Sequence, residues 1–363
     1  MRIGIVTQPL EMNYGGIVQN WALQQVLKRL GHEPITIDAY QRYSTPHYLY
    51  NYAYSVYRHL QGHNYPPKPT RYCGAIRNEL LGKFIENHID KTKVMWDYKR
   101  SVVRKYRLDA LVVGSDQVWR VGYNSKHIED MFLKFADGLP LKKRISYAAS
   151  FGIDEWTYNE KQTVACAALA NKMDAISVRE ASGVKLCLEH LGVEAKCVLD
   201  PTLLLESDEY NSIIDSKWGH SEPYLAVYCL DITPVKEAFF KKLAEERGLS
   251  VRYFSAGWKS KLTIEEWLAM LKNASLVITD SFHGTVFSIL FCRVFYTLCN
   301  PERGNSRITG LLEQIGLKGR VVSNTEPKEP TDRDIDWSCV HSKLASMRKE
   351  SIDFLKTNLQ VGD

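Results

Sequence analysis

Where the apolar run Leu276-Val277-Ile278 ends, the sequence continues Thr279-Asp280-Ser281-Phe282-His283-Gly284. An imidazole with its ordinary pKa near 6.5 exchanges protons around neutrality, which suits it to acid/base work. A lone histidine is more often structural than catalytic. This one stands at the carboxyl end of an expected strand, where open α/β sheets bind their ligands, with an acid and a hydroxyl beside it. His283 is the first candidate for proton transfer, with Asp280 as its orienting partner and Ser281 as a polar contact to substrate.

Three further clusters occupy equivalent places. Gly114-Ser115-Asp116-Gln117-Val118-Trp119 follows a buried apolar run and would bring Ser115 and a carboxylate to the same crevice. Asp116 is equally suited to cap a helix. In Ser177-Val178-Arg179-Glu180 a guanidinium at a strand end offers a forked, permanent charge for carboxylate or phosphate, or else an ion pair with Glu180. Asn13-Tyr14-Gly15-Gly16 lets backbone approach a ligand at a helix start that favours anions, or makes a tight turn. Downstream, Asn305-Ser306-Arg307 adds another guanidinium near the start of a helix.

The elements that must position these groups alternate throughout. Strands are expected at residues 2–6, 35–37, 108–113, 144–148 and 175–178, then at 224–229, 251–254 and 276–279. Helices fall between, the first over 17–30 and stopped by Gly31. This alternation of β and α segments predicts parallel sheets. The reading is an α/β chain of two Rossmann-like domains facing a cleft: residues 1–205, residues 206–335, and a C-terminal helix over 336–363 that crosses back to the first domain. Residues 206–223 and 324–334 read as surface connectors. Residues 40–72 hold nine of the 20 tyrosines without a clear period, either an insertion packed on its own aromatics or a mobile cover stacking on sugars.

Composition narrows the field. At 363 residues, 45% hydrophobic and 25% charged, the chain has the balance of a globular protein too long for one ordinary core. No apolar run reaches the length of a membrane span, and the N-terminal apolar stretch is only strand-length. The eight cysteines form no CxxC pair, so reduced thiols in a cytoplasmic protein are expected and no metal site is. The net charge of +5 suits an anionic substrate, or peripheral association with a membrane carrying the acceptor. Basic residues are dispersed, leaving no footprint for nucleic acid.

As an ordered set, Asn13-Tyr14-Gly15-Gly16 with Gln19-Asn20-Trp21-Ala22-Leu23, the clusters at 114–119 and 177–180, Asp200-Pro201-Thr202 and the cluster at 279–284 resemble the polysaccharide pyruvyltransferase family over roughly residues 1–320. The resemblance implies a GT-B-like fold, phosphoenolpyruvate as donor, a sugar hydroxyl pair as acceptor, sometimes lipid-linked, and a pyruvate ketal with phosphate as products. No cofactor is implied. In this frame His283 is the general acid/base, Asp280 orients it, and Arg179 and Arg307 hold the donor. Asp116 binds or deprotonates an acceptor hydroxyl, while Asn13, Gly15, Gly16, Ser115 and Ser281 line the cleft. Well-studied members carry Arg-Leu-His where this chain has Ser281-Phe282-His283, which leaves Arg307 or Arg303 to supply the missing charge. Two other readings fit the same architecture: a nucleotide-sugar glycosyltransferase, and a non-catalytic sugar-binding protein.

Overall fold

The computed structural model describes residues 1–40, 45–60, 79–124, 126–214, 222–255, 260–299, 306–329 and 334–360. In chain order the first strands are β1 (Arg2–Val6), β2 (Glu33–Thr36), β3 (Ala39–Tyr40), β4 (Met95–Trp96), β5 (Ala110–Val113), β6 (Lys143–Ser146), β7 (Ser177–Val178) and β8 (Lys196–Cys197). The remaining five are β9 (Tyr224–Tyr228), β10 (Ser250–Tyr253), β11 (Leu276–Thr279), β12 (Val294–Cys299) and β13 (Val321–Ser323). Two larger parallel sheets result, ordered β2-β1-β5-β6 and β10-β9-β11-β12-β13, beside the two-stranded pairs β3-β4 and β7-β8. β7 continues the first through bridges from Ala175 to Ile145 and from Val178 to Ala149.

Central strands β5, β9 and β11 are buried along their whole length, as helix-covered parallel strands must be. The intervening helices start where side chains satisfy orphan amides. Asn13 caps Tyr14–Arg29, Thr233 caps Pro234–Glu246, Thr263 makes a capping box for Ile264–Lys272, and Ser281 caps Phe282–Leu290. Strand ends are flush: Val6 pairs with Val113, and Thr279 with Tyr228. The loops leaving neighbouring strands therefore begin side by side at each carboxyl edge.

One hydrophobic core runs through both halves. It joins Ile3, Tyr14 and Trp21 to Trp267 and Phe287, and takes in Phe354 and Leu355 of the last helix. That helix, Trp337–Leu359, does cross back to the first sheet. Phe354 packs on Tyr147 with ring centroids 6.3 Å apart, Ser351 Oγ accepts from the Leu199 amide at 3.0 Å, and Arg348 Nε donates to the Leu203 carbonyl at 2.8 Å. The expected α/β class with two Rossmann-like sheets is the fold observed.

Some elements differ from expectation. Thr45–Leu60 is a helix within the tyrosine-rich stretch that shows no clear period, and residues 61–78 lie outside the described set. β3, β4, β8, β12 and β13 were not expected: β3, β4, β8 and β13 are too short to show a period, and β12 follows directly behind a helix. Within the connector at 206–223, Ser207–Asn211 is helical and 215–221 fall outside the described residues. Among the described residues no helix is long and apolar enough to cross a membrane.

Candidate active site at the seam between the sheets

The loops after β1, β5 and β7 meet the helix after β11 at the seam. Their hub is Asp200, fully buried at the start of the short helical turn Pro201–Leu204. Its Oδ1 accepts from the Thr202 amide (3.0 Å) and hydroxyl (2.7 Å). Its Oδ2 accepts from Arg179 Nη1 at 2.7 Å and from Ser115 Oγ at 3.1 Å, and lies 4.0 Å from His283 Nε2. One carboxylate oxygen thus links an arginine of the first sheet to the histidine of the second. Burial alone would raise the Asp200 pKa, but Arg179, His283 and the Thr202 bonds together hold it below the ordinary value.

Arg179 is buried at the end of β7, with its guanidinium 4.6 Å over the Phe282 ring. Burial opposes its charge, yet the carboxylates of Asp200, Asp116 and Glu180 outweigh that and hold it protonated. Its Nη2 lies 3.5 Å from Asp116 Oδ1, while Nε and Nη2 have no hydrogen-bond partner among the described residues.

His283 is the second residue of Phe282–Leu290, so its ring projects from the helix start toward the first half of the molecule. There it meets Gly15, the second residue of Tyr14–Arg29. A β-carbon on Gly15 would lie 2.0 Å from His283 Nδ1, so the close approach depends on its absence. Burial lowers the imidazole pKa, and the opposing pull of Asp200 does not restore it. Its Nε2 has no hydrogen-bond partner among the described residues.

Beside this cluster lies a cavity of about 630 Å³, including the part open to solvent, lined among others by Arg179, Glu180, Asp200, Phe282 and Arg307. Arg307, on Ser306–Gln314, is nearly buried, and burial followed by the neighbouring charge of Arg179 lowers its pKa to about 10. Arg120 contributes to that repulsion; its Nη1 donates to Gln117 Oε1 at 2.8 Å. Glu180 is also buried, with Oε1 accepting from Ser150 Oγ and the Phe151 amide, both at 2.9 Å. Its Oε2 has no hydrogen-bond partner among the described residues. Burial raises its pKa despite Arg179 and Arg307.

The structure brings His283, Arg179, Asp116, Asn13, Gly15 and Arg307 to this seam. Asp116 does not cap a helix: it sits in the left-handed region at φ 69°, and its Oδ2 accepts from Asn13 Nδ2 at 2.8 Å. Other expected residues have different duties. The Asp280 oxygens accept from the amides of Leu230 (2.8 Å) and Asp231 (3.2 Å) at the end of neighbouring β9, and the carboxylate facing His283 is that of Asp200. Ser115 is fully buried and holds Asp200 and the Ala148 carbonyl. Ser281 is a helix cap, and the Gly16 amide is taken up by Asn13 Oδ1 at 3.1 Å. Arg303 lies outside the described residues. Sequence reasoning assigned no chemistry to Asp200, Glu180 or Arg120. Asp200-Pro201-Thr202 entered only as part of the ordered set that carries the family resemblance, without a role for its carboxylate.

Comparison with solved structures supports the architecture. The fold is similar to that of a Listeria monocytogenes protein assigned as a UDP-N-acetylglucosamine 2-epimerase, with a TM-score of 0.52 over 100% of this chain and 92% of that one at 11% identity. A UDP-N-acetylglucosamine 2-epimerase from Rickettsia bellii gives a TM-score of 0.48 at 10% identity, covering 99% of each chain. At such identity the likeness concerns the fold alone. No curated protein matches the sequence. The family model described as polysaccharide pyruvyl transferase matches residues 13–298, a span that runs from Asn13 through Asp116, Arg179 and Asp200 to His283 and β12. With most of its length and every part of the Asp200 cluster inside that match, the chain belongs to the polysaccharide pyruvyl transferase family.

Proposed function

We propose that this enzyme transfers the three-carbon unit of phosphoenolpyruvate to two hydroxyls of a sugar, closing a pyruvate ketal and releasing phosphate. The observation that carries the reading is the convergence of Arg179 and His283 on one oxygen of Asp200, from opposite sides of the seam. The open donors of Arg179, with Arg307 across the cavity, suit a small ligand bearing a carboxylate and a phosphate. Arg307 takes the place of the arginine that relatives carry two residues before the histidine.

In the proposed sequence, protonation of the donor's methylene carbon makes its neighbour electrophilic, and a sugar hydroxyl adds there. Phosphate leaves with the bonding pair of its C–O bond, and the second hydroxyl closes the ring. One proton enters at carbon and two leave the hydroxyls, one of them accompanying phosphate. His283, its imidazole pKa lowered by burial, accepts a hydroxyl proton, and Asp200 stabilises the imidazolium that forms. Glu180, its carboxyl pKa raised by burial and its Oε2 open, is the corresponding proton source. Asp116, held by Asn13, positions the acceptor.

A nucleotide-sugar transferase is the second reading, favoured by the fold it shares with the UDP-N-acetylglucosamine 2-epimerase from Listeria monocytogenes. The same arginines would then hold a diphosphate. Thermal shift with phosphoenolpyruvate against UDP, GDP and CMP sugars separates the two. Phosphoenolpyruvate should stabilise the chain, and Arg179→Lys should weaken that binding about tenfold, since a point charge cannot reproduce the fork. Stabilisation by a nucleotide sugar alone would favour the second reading.

A further inference from the structure

The hydrogen bonding of the buried Arg179 guanidinium runs, among the described residues, through Nη1 alone, to Asp200 Oδ2 at 2.7 Å. The 3.5 Å ion pair from Nη2 to Asp116 adds attraction without a directed bond. A guanidinium held at one corner can turn about that bond, and a fork recognises a carboxylate or a phosphate only when its plane is presented correctly. Against this plane lies the ring of Phe282, its centroid 4.6 Å from the guanidinium carbon. An aromatic face attracts a cation most firmly where water is excluded. Here the arginine is 7% exposed and the phenylalanine 8%. Phe282 is placed by its own helix: Ser281 caps Phe282–Leu290, which makes Phe282 the first helical residue and His283 the second. The imidazole of His283 stands edge-on to the phenyl ring, with centroids 5.3 Å apart and planes at 82°. One ring from the second sheet's side of the seam therefore touches the cation of the first and the imidazole beside it. It also lines the cavity together with Arg179 and Arg307. An aliphatic side chain would fill the same space without offering a face to the cation.

We propose that Phe282 is a positioning residue whose ring fixes the plane of the Arg179 guanidinium, so that an anion clamp built on the first sheet is set by the second. That the anion is phosphoenolpyruvate rests on the pyruvyltransferase reading, whereas the orienting contact does not. The test compares the full chain with Phe282→Leu and Phe282→Tyr. It reads KM for phosphoenolpyruvate and kcat from phosphate release, and the affinity for inorganic phosphate by calorimetry. Phe282→Leu should raise KM about fivefold to tenfold and weaken phosphate binding by a similar factor. Turnover should stay within about threefold, and Phe282→Tyr, which keeps the ring, should restore both affinities. In an Arg179→Lys chain the same leucine substitution should weaken binding by about twofold or less, because the ring acts through the fork. Phe282→Met, close in volume, serves in the same comparison should the leucine chain not fold. Unchanged affinities without the ring, equal losses in the leucine and tyrosine chains, or a full additional loss in the Arg179→Lys background overturns the proposal and leaves the ring as packing. Phosphate binding that follows the expected pattern in a chain without affinity for phosphoenolpyruvate overturns the donor assignment and leaves the positioning role intact. A parent chain that binds neither anion overturns both.

Discussion

The absent side chain of Gly15 sets how closely an imidazole from one half of the molecule can rest on the other. Gly15→Ala places a carbon 2.0 Å from Nδ1 of His283, so the ring must shift. A displacement of about 1 Å in a catalytic group reduces rate about 10²-fold, and turnover should fall by that order with the fold retained. Unchanged turnover in Gly15→Ala would remove the contact from the mechanism. Asp200 carries more structural weight. In Asp200→Asn the guanidinium of Arg179 stays buried without its closest anion, and urea unfolding should show a loss of about 3–5 kcal/mol. Both Asp200 and His283 have folded pKa values below their ordinary ones. As pH falls, the unfolded chain therefore binds protons before the folded chain does, first at histidine below about 6.5 and then in the carboxylate range near 4. The stability these groups contribute is complete above about pH 6.5 and declines below it. The thermal midpoint should drop between about pH 7 and 5, and His283→Gln should flatten that part of the curve; an unaltered slope would assign the proton uptake elsewhere. Strand-end chemistry made His283, Arg179 and Asp116 legible in the sequence. The roles of Asp200 and Glu180 were not, because these lie in burial and in what converges on the two carboxylates, which the motifs around them do not record.

At the scale of elements, the helix Tyr14–Arg29 does two jobs. Its first turn carries Gly15, and its buried face carries polar residues locked to β2. Asn20 Nδ2 and Gln24 Nε2 donate to Thr36 Oγ1 at 2.8 and 2.9 Å, and Gln24 Oε1 accepts from the Asp90 amide at 3.0 Å. This accounts for two amides in a helix that a purely apolar stripe would not contain. Gln24→Leu leaves the Asp90 amide unsatisfied and should destabilise by about 1–3 kcal/mol in urea unfolding, with affinity for phosphoenolpyruvate unchanged. Weakened donor binding in a well-folded Gln24→Leu chain would show that the helix start is not positioned independently of its middle. Helices with a clear period and strands with a β-branched run were legible within a few residues, among them β11 and Tyr14–Arg29. Thr45–Leu60 was not, because tyrosines on both sides of an apolar stripe blur its period.

At the scale of the whole molecule, two parallel sheets share a core and turn their carboxyl edges toward one seam, with the last helix tying the second half back to the first. That arrangement brings Arg179 and His283, about a hundred positions apart, to one oxygen of Asp200. The most direct test of this account is acceptor-dependent phosphate release from phosphoenolpyruvate, measured beside donor binding in the intact chain and in His283→Ala. The account predicts release by the intact chain, and a fall of about 10²–10⁴-fold in His283→Ala with donor binding retained. Release at the parent rate by a folded His283→Ala chain, or turnover of a nucleotide sugar with none of phosphoenolpyruvate, would contradict it.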